Sequence, residues 1–201
     1  MKPIRVALIP AYQPDDILIA LVRELALHDF FLIVVDDGSG EDFAPLMEEV
    51  SGNAVVLTHE EKKGRSAALR TGLAYLKAHF PFSYTVVTMD ADGKHRICDA
   101  EHLCLTAEEQ RDALVIGTRL FPKKTPLRTK LGNRMQCLGL KLSTGVSVRD
   151  AESGLLACSD AFAAKLMEHF GDDPAALLRA CAKAHIPMPQ VNIRNQDGNL
   201  L

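Results

Sequence analysis

Short, apolar, β-branched runs alternate with amphipathic stretches along almost the whole chain, and this alternation limits the folds open to it. Ile4 to Ile9, Phe31 to Asp36, Ala54 to Thr58, Tyr84 to Asp90 and Ala113 to Thr118 are apolar on both faces, as strands of a parallel sheet covered on both sides must be. Between them, Pro14-Asp15-Asp16 makes a first helical turn, and Leu18, Leu21, Val22 and Leu25 recur at i, i+3, i+4, i+7. Leu69, Leu73, Leu76 and Phe80 repeat that period after Gly64. A third stretch, Leu127 to Leu142, aligns Leu127, Leu131, Met135, Leu138 and Leu142 on one face, with a basic face expected opposite. Gly154 to Cys158 and Met188 to Ile193 read as further strands and Pro174 to His185 as a helix. The order predicts an α/β fold with a doubly wound, mostly parallel sheet and helices on both faces, in one domain over residues 1–201. Sheets of this kind bind ligands beyond the carboxyl ends of their strands, so the chemistry is expected there.

Composition removes several alternatives. With 47% hydrophobic and 24% charged residues the chain can bury a core without staples, and its net charge of −3 argues against a dedicated nucleic-acid binder. Cys98, Cys104, Cys137, Cys158 and Cys181 are odd in number and form no CxxC pair, so neither a disulfide framework nor a zinc knuckle is indicated, and a reducing, cytoplasmic setting is expected. Cys158 and Cys181 read as core residues. The first apolar run is too short for a signal segment, and none approaches the roughly 18 residues of a membrane span.

Three strand ends carry acids or turn residues. The first strand runs into Pro10-Ala11-Tyr12, the second into Asp36-Asp37-Gly38-Ser39, the fourth into Asp90-Ala91-Asp92-Gly93. In extended chain, residues two apart project to one side, so Asp90 and Asp92 can aim both carboxylates at one cation while Ala91 leaves room for a ligand. Two hard oxygen donors suit Mg²⁺ or Mn²⁺, completed by water and diphosphate oxygens; the same tetrad also suits a solvated turn. At least one of Asp36 and Asp37 is expected to face the crevice, where a carboxylate accepts from a base N–H or a ribose hydroxyl; a turn with a helix cap at Ser39 or Asp42 is the other reading. Gly64-Arg65-Ser66 opens a helix whose free N–H groups and guanidinium could receive a phosphate, or is a plain helix start. His59 and His95 have no partner at metal spacing and read as structural. From Ala113 through Arg149 the chain has no acid but eight bases: Arg119, Lys123, Lys124, Arg128, Lys130, Arg134, Lys141 and Arg149. Such a block is solvated surface, or suits a diphosphate or an anionic membrane surface.

Taken together, Pro10-Ala11-Tyr12, Val34-Val35-Asp36-Asp37-Gly38-Ser39, His59 with Gly64-Arg65-Ser66-Ala67-Ala68-Leu69-Arg70-Thr71-Gly72, Asp90-Ala91-Asp92-Gly93-Lys94-His95, Gly117-Thr118-Arg119 and Asp150-Ala151-Glu152-Ser153-Gly154-Leu155 resemble glycosyltransferase family 2. Within it they are most similar to the dolichyl- and polyprenyl-phosphate sugar transferases. The resemblance implies a GT-A (nucleotide-diphospho-sugar transferase) fold and inverting transfer from a UDP- or GDP-sugar to a polyprenyl phosphate, with peripheral contact at the cytoplasmic membrane face. It implies nucleotide contacts at Pro10, Tyr12, Val35, Asp37, Arg65 and Ala91, and Mg²⁺ or Mn²⁺ at Asp90 and Asp92, the DxD pair. Catalytic roles fall to Asp92 and Asp150, and phosphate contacts to Arg119 and Arg128. The chain departs from these relatives at Pro14, where they often carry Glu, at Arg65 in place of a phosphate-loop lysine, and at Lys94 in place of Gln. It departs again at Phe170-Gly171-Asp172-Asp173-Pro174, and its end after Asp197-Gly198-Asn199 is short for the family. These departures motivate an alternative from another class, a catalytically weakened nucleotide-sugar-binding module serving a partner protein. A phosphoacceptor signalling domain fits less well, since its acidic pair would follow the first strand.

Overall fold

The computed structural model describes residues 2–119, 127–166 and 174–194. In chain order the elements are β1 (Ile4–Ala11), α1 (Ile17–Leu27), β2 (Phe31–Asp36), α2 (Ala44–Ser51), β3 (Val55–Thr58), α3 (Arg65–His79), β4 (Tyr84–Thr88), α4 (Ile97–Glu109), β5 (Val115–Arg119), α5 (Leu127–Thr144), β6 (Leu156–Ser159), α6 (Asp160–Leu166), α7 (Pro174–Lys183) and β7 (Gln190–Ile193). One seven-stranded sheet has the order β3-β2-β1-β4-β6-β5-β7. All its pairings are parallel except those of β6, which runs antiparallel between β4 and β5. The expected doubly wound α/β fold is therefore observed, with one reversed strand inside it.

The alternation of side chains along β1 divides the core into two layers. Val6 and Leu8 point to one face, where they pack with Leu69, Leu73 and Leu76 of α3 and Phe162 of α6. Ala7 and Ile9 point to the other, against Leu18, Leu21 and Leu25 of α1 and Leu103 of α4. Burying each such Leu contributes roughly 1.5–3 kcal/mol, and the pattern explains why the strands are apolar on both sides. Cys104, Cys158 and Cys181 lie in these layers as small apolar residues. Burial pushes the Cys181 thiol up to about 11 and that of Cys104 up to about 12, so neither is a nucleophile near neutral pH.

Helix α5 differs from the expectation. Its inner face is formed by Asn133 and Leu140, which are buried, with Cys137 half-buried between them, whereas Leu131, Met135, Leu138 and Leu142 are exposed. Arg134 and Lys141 lie on the exposed side too, so the face opposite the leucines is the packed one, not a basic one. No helix of the described residues is long and apolar enough to cross a membrane.

The topology sets the place of the site. The parallel strands β1, β2, β4 and β5 end along one edge, and antiparallel β6 begins there, because Leu156 pairs with Thr88 at the end of β4. The segment 150–155 is thereby delivered to the loop that follows β4.

Candidate functional site at the carboxyl edge of the sheet

Asp90 and Asp92 sit in the turn that leaves β4, and each is paired with a cation. Arg65, the first residue of α3, donates from Nη2 to Asp90 Oδ1 at 3.0 Å and from the same atom to the Gly154 carbonyl at 3.0 Å. His95 Nε2 lies 3.2 Å from Asp90 Oδ2. Burial alone would raise the Asp90 carboxyl, but the His95 hydrogen bond and the Arg65 charge outweigh it and hold the group well below the usual carboxylate range. Asp92 Oδ2 accepts from Lys94 Nζ at 2.6 Å, and its other oxygen accepts from the Lys94 main-chain N–H, an Asx turn.

The side chains of Asp90 and Asp92 keep 40% and 44% of their surface. They fit a hard cation held by two carboxylates, with lone pairs still available. Among the described residues no cluster of three metal-ligating side chains exists, so the rest of such a shell would have to come from water and ligand oxygens. That is the usual habit of Mg²⁺. His95 is buried, as a structural histidine should be, yet it touches Asp90 and its Nδ1 is buried without a partner. It positions a site residue, a role its sequence spacing did not reveal.

Arg119, at the end of β5, donates from Nε to Asp150 Oδ2 at 2.6 Å and from Nη2 to Asp150 Oδ1 at 2.9 Å, a bidentate fork. Asp150 is wholly buried while Arg119 keeps 21% of its side-chain surface. The hydrogen bond to Asp150 raises the Arg119 guanidinium further above its ordinary value, and the charges of Glu152 and Asp90 act in the same direction. Asp150, read as catalytic, thus faces Arg119 inside the protein; the group it leaves at the surface is the guanidinium. The side chain of Arg128 lies outside the described residues, as do Lys123, Lys124, 170–173 and 197–201.

On the β1–β2 side the expectation of an aspartate open to the crevice is corrected. Asp36 and Asp37 are only 4% and 3% exposed. Asp36 Oδ1 accepts from the Ser39 N–H, and Asp37 accepts from the N–H groups of Lys63 and Gly64 and is hydrogen-bonded to His59 Nδ1 at 2.8 Å. His59 in turn meets Thr71 of α3. Two acids at a strand end satisfy neighbouring backbone donors more cheaply than they face an apolar layer. Gly38 (φ +75°) runs so close to the 61–62 backbone that a Cβ would lie 2.5 Å from the Glu61 carbonyl carbon, so the turn needs glycine. Of the N–H groups at the Gly64-Arg65-Ser66 helix start, that of Gly64 is held by Asp37 and is not free for a phosphate. Val35 is fully buried and offers only main chain. Pro10 and Ala91 are half-buried, and Tyr12 is 41% exposed with Lys62 Nζ 3.6 Å from its ring centroid, a cation–π contact.

The profile of the family described as "Glycosyl transferase family 2" matches residues 6–177. A UDP-N-acetylglucosamine–dolichyl-phosphate N-acetylglucosaminyltransferase of Methanococcus voltae is 31% identical over 176 residues, covering 76% of this chain and 68% of that protein. An undecaprenyl-phosphate 4-deoxy-4-formamido-L-arabinose transferase of Pseudomonas fluorescens is 28% identical over 152 residues, with 71% of this chain and 43% of that protein covered. Among solved structures, glucosyl-3-phosphoglycerate synthase of Mycobacterium tuberculosis in complex with Mn²⁺, uridine diphosphate and phosphoglyceric acid superposes with a TM-score of 0.66 at 19% identity, over 96% of this chain and 69% of that one. At that identity the likeness speaks for the fold.

Proposed function

We propose that this chain, which belongs to glycosyl transferase family 2 and is a glycosyltransferase of GT-A fold, moves a sugar from a nucleotide-sugar donor to a polyprenyl phosphate at the cytoplasmic face of a membrane. The observation that carries the reading is the convergence of Arg65, the Asp90–Asp92 turn and the Asp150-held Arg119 at one edge of the sheet. Similarity to two transferases whose names specify lipid-phosphate acceptors supports the acceptor class.

In this reading the nucleotide lies over the ends of β1 and β2, against Pro10, Tyr12, the main chain at Val35 and the Ala91 turn. Tyr12, exposed and flanked by Lys62, offers a ring face to a base. Asp37 acts through the 62–64 loop, which it fixes, so its contribution is to shape the pocket wall. Asp90 and Asp92 would hold Mg²⁺ or Mn²⁺, which supplies charge neutralisation to the donor diphosphate. Arg119 meets phosphate oxygens with a guanidinium whose direction Asp150 has set, and Arg128 is assigned to the same task.

The acceptor is an anion, and this settles what the protein must do. A phosphate oxygen attacks the anomeric carbon from the face opposite the leaving group; the new C–O bond forms as the bond to the nucleoside diphosphate breaks with its electron pair. No proton leaves the nucleophile, so no strong general base is required. Alignment and stabilisation of the departing diphosphate remain, and the Arg119 guanidinium, preorganised by Asp150, serves both.

The test is a transfer assay on the purified chain with Mn²⁺, a panel of UDP- and GDP-sugars and a short-chain polyprenyl phosphate, read by formation of glycosylated lipid. Silence across the panel overturns the reading. Nucleotide binding by calorimetry without turnover selects the donor-binding module instead.

A further inference from the structure

We infer that the outward face of α5 is a seat for an anionic lipid bilayer. Among the described residues, half of the exposed large apolar side chains belong to this one helix: Leu131, Met135, Leu138 and Leu142 are 60%, 67%, 55% and 79% exposed. They fall at i, i+4, i+7 and i+11, a single stripe along three turns. Apolar residues exposed singly are ordinary, but a continuous stripe on a folded surface marks something that covers it.

Charge decides what that is. The exposed residues beside the stripe include Arg134 and Lys141, and between positions 113 and 149 the sequence has eight bases and no acid. A second copy of this chain would set like charges against each other around the stripe, whereas a helix lying in an anionic headgroup layer gains about 1 kcal/mol per Lys or Arg at the surface while its leucines enter the acyl boundary.

The inner face of α5 ties the seat to the site. Asn133 donates from Nδ2 to the Arg149 carbonyl and accepts at Oδ1 from the Ala151 N–H, bracketing Asp150, and on the exposed flank of the helix Gln136 donates to Glu152 at 2.8 Å. Thus the helix whose outer side would rest on lipid fixes, by its inner side, the loop that aims Arg119. The inference deepens the proposed transfer to a lipid-borne phosphate and rests on that reading for its purpose, since a helix seated in the headgroup layer brings the Arg119 edge to where such an acceptor emerges.

The experiment is co-sedimentation of the full chain with phosphatidylglycerol–phosphatidylcholine vesicles containing no polyprenyl phosphate and no nucleotide. Binding is expected, weaker on pure phosphatidylcholine and weaker at high salt. The double variant Leu138→Gln/Leu142→Gln is expected to reduce it at least about tenfold, and Lys141→Glu on the order of tenfold. Thermal melts control for folding, which these exposed positions should leave intact. No binding, equal binding to neutral vesicles, or binding insensitive to the stripe variants overturns the inference. So does a concentration-dependent dimer that the double variant dissolves, which would give the stripe to a second copy. The transfer assay with the short-chain acceptor in solution separates the two failures: activity there without vesicle binding removes the seat and leaves the transferase.

Discussion

Gly154 stands directly against the Asp90 carboxylate, so close that a Cβ on it would overlap the carboxylate oxygens, and Arg65 joins the two from outside. The contact exists because β6 starts where β4 ends: Thr88 Oγ1 donates to the Gly154 carbonyl at 2.7 Å and accepts from the Leu156 N–H. Gly154→Ala is therefore expected to push Asp90 off Arg65. Overpacking of this size costs about 1–3 kcal/mol. The transfer rate should fall at least about tenfold, since roughly an ångström of misplacement at a reacting centre has that effect. Steady-state kinetics beside a urea titration checks both; unchanged kcat would mean that the Asp90 geometry does not matter to turnover.

The Arg119–Asp150 fork makes a second prediction. Asp150 is fully buried, and its oxygens accept from the Arg119 guanidinium and from the main-chain N–H groups of Arg119 and Glu152. Removing one partner of a buried pair costs about 3–5 kcal/mol, because the other charge is left uncompensated. Asp150→Ala is expected near the low end, as Arg119 can turn partly to water. Its effect on transfer should exceed its effect on nucleotide binding if Arg119 acts on the departing diphosphate. A chemical-denaturation midpoint equal to that of the parent protein would contradict the stabilising role of the pair.

Most of the fold is legible in the sequence because two periods are strong. The apolar strands and the leucine spacing of α1 and α3 reappear within a few residues of their expected bounds. Helix α4 escapes because only Ile97 and Leu103 on its buried side are large; Ala100, Cys104 and Ala107, which complete that side, are too small to stand out as a stripe. The direction of β6 is invisible for another reason: four residues of apolar chain read the same whether the strand runs up or down, and only its partners fix the sense. The Gly154–Asp90 contact and the Arg65 bridge depend on that sense, so they escape too. For α5 the period is plain but its meaning inverts. Periodicity says which residues share a face, and only the packing of Asn133 and Leu140 says which face is inside. Asp37 shows a related limit, since a carboxylate at a strand end serves a ligand or a neighbouring loop according to where that loop passes.

Asp37 also sets a pH dependence. Burial would raise its carboxyl, but the N–H groups of Lys63 and Gly64 and the His59 side chain outweigh burial and lower it below the ordinary value. A group whose folded value is depressed lends stability that is fully present above its unfolded value, roughly 3.9, and lost as pH falls through the folded one. The Asp90 carboxyl is lowered in the same sense. The urea midpoint should therefore fall steadily below about pH 4. Asp37→Asn should be less stable than the parent by on the order of 1–3 kcal/mol at neutral pH, with the gap closing toward pH 3. A gap that stays constant with pH would assign the loss to packing alone.

Lys94 supplies the last test, through the cation that the Asp90–Asp92 pair would hold. Its ammonium sits 2.6 Å from Asp92 Oδ2 on the same turn, with both side chains about half exposed. An incoming divalent ion must displace that ammonium, and exposed pairs of this kind are worth about 0.2–1 kcal/mol, so the penalty on metal affinity is modest. Lys94→Gln removes the competitor and adds an amide oxygen, itself a hard donor. Binding of Mn²⁺, followed by loss of the free-ion electron paramagnetic resonance signal in the absence of donor, is expected to tighten about two- to fivefold. Thermal stability should stay within about 0.5 kcal/mol of the parent, as for other surface substitutions. If Mn²⁺ binds the variant no better than the parent, the ammonium is not a competitor at this site, and the turn is held together by Lys94 for some purpose other than restraining metal.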